Sequence, residues 1–218
     1  MTTYDFIIFD LDGVIIDQRE GIVNSVKYAL SKLGIDETDN EKLLSFIGPP
    51  LKDSFKKYYS FNEEKTMEAV RYYRENYSKT GVYEFKLYNG TSEMLSLLKK
   101  ENKKLFVATT KPKFFADKVL TQAKIHGLFD KIYGDTLTFD VTKTLMIKMI
   151  IEDNKLVDLS KVVMVGDRDS DVFAAKNNHI NSVGVTYGFG SREELEKANA
   201  TIIVNSVNEL KEELRKIN

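Results

Sequence analysis

The chain has 218 residues, of which 42% are hydrophobic and 30% charged, with a formal net charge of -1. That length supports one large core, or one core with a smaller domain, and the balanced charge gives no general bias toward nucleic acid. There is no cysteine, which excludes a disulfide framework, a thiolate metal site and a Cys nucleophile. No apolar run approaches the roughly 20 residues that span a membrane, and Asp5 interrupts the first apolar stretch with no basic leader before it. A soluble cytoplasmic protein with neither membrane nor nucleic-acid partners is the expectation.

The first predicted strand is Asp5 to Asp10, and its apolar residues are continuous, as in a central parallel strand covered on both faces. Residues 18–86 then read as helical. Ile22, Val23, Val26, Leu30 and Leu33 form one stripe, ended by Gly34. Leu43, Leu44 and Ile47 begin a second, ended by Gly48. Leu51 and Phe55 suit a third helix, and Thr66, Val70, Tyr73 and Tyr77 a fourth. Seven of the eleven tyrosines fall between Tyr58 and Tyr88; they either fill a small helical core or offer a ring to a base or sugar. From residue 90 onward, strands and helices alternate. The strands are Lys104 to Thr109, Lys131 to Gly134, Lys161 to Gly166, Asn181 to Val185 and Thr201 to Val204. Helices lie at Thr91 to Lys100, after Pro112 and over Thr142 to Asp153, with Leu145, Met146, Met149 and Ile150. Ser191 with Glu194 and Ser206 with Glu209 read as capping boxes. The fold class expected is α/β: a doubly wound, mainly parallel Rossmann-like sheet core formed by 1–17 and 87–218, with an all-helical domain, 18–86, inserted after the first strand.

Acidic residues collect where predicted strands end. Asp10 and Asp12 follow the first strand, and residues two apart in an extended chain face the same side. Alone, D-x-D-G is a strand-end turn with Asp caps; a calcium loop would need a preceding helix and more ligands. The strand at Lys104 ends in Thr109, Thr110 and Lys111, where a hydroxyl and backbone N–H groups at a helix start suit a phosphate oxygen or merely cap the helix. Lys143, after the strand at Lys131, is a point charge able to neutralise a phosphoryl group, or one surface lysine among many. "GDRDSD" places Asp167, Asp169 and Asp171 after the strand at Lys161. In open α/β sheets ligands bind beyond such strand ends. Two adjacent acid clusters would repel each other, and a divalent cation resolves both; oxygen ligands point to Mg²⁺ rather than zinc.

D-x-D-G-V after a first strand, a strand ending in Thr, a later Lys and GDRxxD together resemble the haloacid dehalogenase-like hydrolase superfamily. "FIGPPLKDSF" (Phe46 to Phe55) and "SVGVTYGFGSREEL" (Ser182 to Leu195) are similar to its phosphoglycolate phosphatase-like branch, which carries a helical cap. Three positions depart from that branch: Asn89 stands where Pro is usual, Gln18 where Ser is usual, and His179 where Gly is frequent. The resemblance implies a two-step phosphoryl transfer. Asp10 would attack phosphorus and form an aspartyl-phosphate; Asp12 would protonate the leaving oxygen and later deprotonate water. Mg²⁺ would be held by Asp10, the Asp12 carbonyl and Asp167, with Asp171 ligating through water or orienting the site, and Asp169 left to start the next helix. Thr109, Lys143 and the N–H groups of Leu11, Asp12 and Thr110 would surround the phosphoryl oxygens. The helical cap would act as a lid, its Gly48, Pro49, Pro50 and Leu51 reading the substrate.

The leading expectation is a phosphatase for a small phosphorylated metabolite, acting as a monomer or homodimer. A nucleotide phosphatase or an inorganic pyrophosphatase would use the same site. A phosphomutase is disfavoured because the cap lacks an Arg-rich loop for a second phosphate. A dehalogenase would need no acid at position 12 and no cation, and a non-catalytic phosphate-binding module would not require the whole set.

Overall fold

The computed structural model describes residues 3–136 and 141–216. The order begins with β1 (Phe6–Phe9) and the short β2 (Ile16–Asp17), then α1 (Arg19–Lys32), α2 (Asn40–Leu44), α3 (Leu51–Tyr59), α4 (Glu63–Lys79) and β3 (Lys86–Leu87). It continues with α5 (Thr91–Lys100), β4 (Lys104–Pro112), α6 (Lys113–Gln122), β5 (Lys131–Asp135), α7 (Lys143–Asp153) and β6 (Val162–Gly166). The last elements are α8 (Asp169–Asn177), β7 (Asn181–Val185), α9 (Arg192–Lys197), β8 (Ile202–Val204) and α10 (Val207–Leu214). Two compact units result. One joins the chain up to Asp17 with the chain from Leu87 onward, and the other is Gln18–Lys86.

The first unit is an α/β fold around a six-stranded sheet of order β5-β4-β1-β6-β7-β8, with every neighbouring pair parallel. β1 is central, and the chain winds outward from it first through β4 and β5, then through β6, β7 and β8. Ile7, Ile8 and Phe9 are fully buried, because a strand with partners on both edges and helices on both faces has no solvated side. Each such side chain contributes roughly 2 kcal/mol of burial free energy. One face packs Ile8, Phe106, Tyr133 and Met164 against Met146, Ile147 and Ile150 of α7.

Helix α7 corrects the reading of its face. Leu145 and Met149 are exposed, and Met146, Ile147 and Ile150 are buried. Apolar residues surround this helix, so periodicity alone leaves its orientation open; the sheet selects the stripe that fits. A second correction concerns the end of β4, which runs on to Pro112 through a register shift after Thr109. Thr109 to Lys111 are therefore strand residues, and α6 starts at Lys113 with Pro112 as its N-cap. Proline disfavours helical geometry in the residue before it, which keeps Lys111 extended.

In the helical unit, α1 buries Ile22, Val26, Ala29 and Leu30, and α4 buries Thr66, Ala69, Val70, Tyr73 and Tyr77. Tyr73 and Tyr77 stack with centroids 5.4 Å apart. Phe46, Phe55, Tyr59 and Phe61 form an aromatic cluster with centroid separations of 5.0–6.4 Å. These tyrosines thus serve packing. Asp39 caps α2 by accepting from Glu41 and Lys42, and Asn62 caps α4 by accepting from the Lys65 N–H. α2 ends at Leu44, earlier than the apolar pattern suggests, and Ile47 lies in the turn that follows.

Candidate active site

The carboxyl ends of β1, β4 and β6 place the acidic and hydroxyl residues of the first unit. Asp10 directly follows β1, and its N–H donates to the Val165 carbonyl of β6 at 2.9 Å. Its Oδ1 accepts from the Leu11 N–H at 2.8 Å, and its Oδ2 lies 2.9 Å from Lys143 Nζ. Lys143 opens α7 after the Thr142 cap and also pairs with Asp171 Oδ1. The other oxygen of Asp171 accepts from the Arg168 N–H at 3.1 Å, closing the first turn of α8. Asp167 accepts from the Phe189 N–H at 2.7 Å. Carboxylate oxygens of Asp10, Asp167 and Asp171 lie within 4.8 Å of one another, and all three residues are buried.

This packing of like charges has electrostatic consequences. Burial, reinforced by Asp171 and Asp10, pushes the Asp167 carboxyl up to about 8. Burial also raises Asp171, with Lys143 acting in the opposite sense. Burial alone would weaken the charge on Lys143, but Asp10 and Asp171 overcome it and hold the ammonium above the ordinary lysine range. With all three acids ionised, the cluster carries three negative charges against the one positive charge of Lys143. The surplus and the all-oxygen donor set match a hard divalent cation.

The turn after β1 is shaped by this cluster. Gly13 adopts φ +90, and a Cβ built on it would fall 2.2 Å from Asp167 Oδ2. Asp12 projects its carboxylate onto Lys111, with Oδ2 3.1 Å from the Lys111 ammonium, and its Oδ1 is buried without a hydrogen-bond partner. Thr109 is buried, its hydroxyl accepting from the Lys111 N–H at 3.2 Å, and Thr110 is exposed. Asp169 stands outside the acidic cluster; it starts α8, and its N–H donates to Glu194 Oε1. Gly48, Pro49 and Pro50 are exposed in the helical unit, where Pro50 caps α3 and Leu51 begins it.

Two groups were not singled out by sequence reasoning. Lys111 lay inside a quoted motif without a role, because nothing in a linear pattern tells which acid a lysine will meet. The loop Gly188 to Gly190 wraps Asp167: a Cβ on Gly188 would sit 2.5 Å from the Asp167 Cβ. Its sequence signal is a G-x-G shortly after the end of β7, at the same sheet edge as the acids. The capping reading at α9 is half realised. Ser191 accepts from the Glu194 N–H, but the Glu194 carboxylate accepts from Arg168 Nε and the Asp169 N–H instead. A guanidinium is the stronger partner.

Residues 7–185 match the family model of haloacid dehalogenase-like hydrolases. A 5'-nucleotidase of Pseudomonas aeruginosa is 42% identical over 194 residues, covering 88% of this chain and 87% of that protein. A phosphoglycolate phosphatase of Colwellia psychrerythraea is 27% identical over 215 residues, covering 94% and 95%. Among solved structures, a protein of Clostridium acetobutylicum described as a predicted phosphatase is 42% identical, with a TM-score of 0.93 over 99% of this chain and 100% of that one.

Proposed function

Because this chain belongs to the haloacid dehalogenase-like hydrolases and is a phosphatase of that family, a phosphoric monoester hydrolase, we propose that it cleaves a small phosphomonoester at Asp10 with Mg²⁺, and that a nucleoside 5'-monophosphate is the substrate class to test first. The observation that carries the site is the buried cluster of Asp10, Asp167 and Asp171, with Lys143 paired to Asp10 and Asp171. The nucleotide preference rests on the 42% identity to a 5'-nucleotidase; phosphoglycolate is the second reading, supported by relatives at 27%.

In this reading the Asp10 carboxylate attacks phosphorus, and its buried position fixes the line of attack. Asp12 gives a proton to the leaving oxygen and then takes one from the attacking water. Lys143, the Thr109 hydroxyl and the N–H groups of Leu11, Asp12 and Thr110 are the donors assigned to the phosphoryl oxygens. Asp10, the Asp12 carbonyl and Asp167 would hold Mg²⁺, with Asp171 behind them; the ion would supply charge neutralisation for the phosphoryl group. The proposal assigns the reading of the leaving group to the helical unit, with Gly48, Pro49, Pro50 and Leu51 as the segment to vary.

The test is phosphate release from nucleoside 5'-monophosphates, phosphoglycolate, sugar phosphates and pyrophosphate, with Mg²⁺, with chelator and with Asp10→Asn. Metal-dependent release that falls by at least about 10³-fold in the variant is expected. Release that survives Asp10→Asn would overturn the assignment of the nucleophile, and a best rate on pyrophosphate would overturn the substrate class.

A further inference from the structure

We propose that Lys111 is a positioning residue for proton transfer: it holds Oδ2 of Asp12 and thereby confines the transferable proton to Oδ1. The inference rests on the phosphatase reading and on the acid role given to Asp12.

Asp12 has two oxygens in different situations. Oδ2 lies 3.1 Å from the Lys111 ammonium. Oδ1 is buried and has no hydrogen-bond partner. A buried carboxylate oxygen without a donor is costly, by about 1–3 kcal/mol or more, so its persistence asks for an occupant that the protein alone does not supply. A leaving-group oxygen, or the water that replaces it, is such an occupant. Lys111 can only donate. While an ammonium N–H points at Oδ2, that oxygen is the acceptor whether Asp12 is charged or neutral, so a proton on Asp12 resides on Oδ1.

Lys111 is itself well fixed. It is 8% exposed, its N–H donates to the Thr109 hydroxyl, and Pro112 behind it keeps the strand extended to the register partner Asp135. Lys111 thus lies within the irregularity after Thr109, and its ammonium reaches the turn after β1.

The proton balance is simple. Asp10 forms its bond to phosphorus as the bond from phosphorus to the leaving oxygen breaks. The Oδ1 proton moves to that oxygen, the alcohol departs, and Asp12 remains as a carboxylate paired with Lys111. In the second step water attacks phosphorus, its proton passes to Oδ1, and the bond to Asp10 breaks. A leaving group that departs as a stable anion, such as p-nitrophenolate, does not need the first transfer.

The experiment compares kcat/KM for p-nitrophenyl phosphate and for a nucleoside 5'-monophosphate in the Mg²⁺-loaded protein. It uses wild type, Lys111→Met, Lys111→Arg and Asp12→Asn. Lys111→Met should lose at least about tenfold more on the alkyl ester than on the aryl ester, in the direction shown by Asp12→Asn. Lys111→Arg should recover part of the difference. The aryl ester doubles as the folding control, since a collapsed variant loses both activities. Equal losses on both esters in a Lys111→Met protein that keeps the wild-type Tm, or no loss on either, would overturn the proposal while leaving the phosphatase reading intact. A wild type that releases phosphate from neither ester would overturn both.

Discussion

At Gly13 a single hydrogen atom decides whether the acidic cluster can form. The residue has φ +90, and a Cβ there would stand 2.2 Å from Asp167 Oδ2. Gly13→Ala therefore combines backbone strain with a collision against a buried acid that Gly188 hems in from another direction. We expect a loss of about 2–4 kcal/mol in unfolding free energy and a reduced Mg²⁺-induced rise in Tm, because Asp167 is displaced. A variant with wild-type Tm and wild-type response to Mg²⁺ would show that the turn opens freely. The residues of this region were unequally legible in the sequence. Asp10, Asp12 and Asp167 stand out because acids seldom follow buried apolar strands without a reason. Lys111 did not, because its partner lies about 100 positions away and only the sheet register brings Asp12 to it. Gly188 and Gly190 did not, because a glycine pair reads first as a turn and only secondarily as room for someone else's side chain.

Among the elements, α8 shows how one short helix serves several ends. Its first turn supplies Asp171 to Lys143, and its other end hands the chain to β7 through Asn178 and His179. His179 adopts φ +56, and its N–H donates to the Lys176 carbonyl. The left-handed residue after a helix is where glycine is favoured, since a Cβ is strained there. That accounts physically for the glycine frequent at this position in the related branch. His179→Gly should stabilise the protein by roughly 0.5–1 kcal/mol, offset in part by the greater freedom of glycine in the unfolded chain. Urea unfolding measures it, and a lower midpoint in the variant would refute the argument. Helix starts were legible where a side chain caps them, as at Thr142, Ser191 and Ser206. They were less legible where proline and a strand irregularity compete, as at Pro112. The order of elements, one strand, a helical insert and then alternation, followed from apolar periodicity because that periodicity reports burial, and burial is what the sheet imposes. The orientation of α7 escaped the same logic because its apolar residues point in too many directions.

For the whole molecule, the acidic cluster ties folding to pH and, under the proposed function, to the metal. In the metal-free protein the Asp167 carboxyl titrates near 8, chiefly through burial, whereas an unfolded aspartate titrates near 3.9. Between those values the unfolded chain has released this proton and the folded chain still holds it. The folded state therefore binds more protons, and its stability falls as pH rises from about 4 to about 8, by at most about 1.4 kcal/mol per pH unit for one proton. Asp171 is shifted in the same direction and adds to the trend. Below that window the sign reverses, because acids such as Glu37, held down to about 2 by Lys42 and neighbouring donors, favour the folded state as they ionise. Metal-free protein should thus be most stable in mildly acidic solution. A divalent cation bound there would replace the proton as the neutralising charge on the cluster, and it would compete best when the proton is absent. The rise in Tm on adding Mg²⁺ should consequently be larger at pH 8 than at pH 5.5, and Asp167→Asn should flatten the metal-free decline between them. Thermal melts at the two pH values, with Mg²⁺ and with chelator, decide the matter: a Mg²⁺ shift that is the same at both would mean that cation and proton do not share this site.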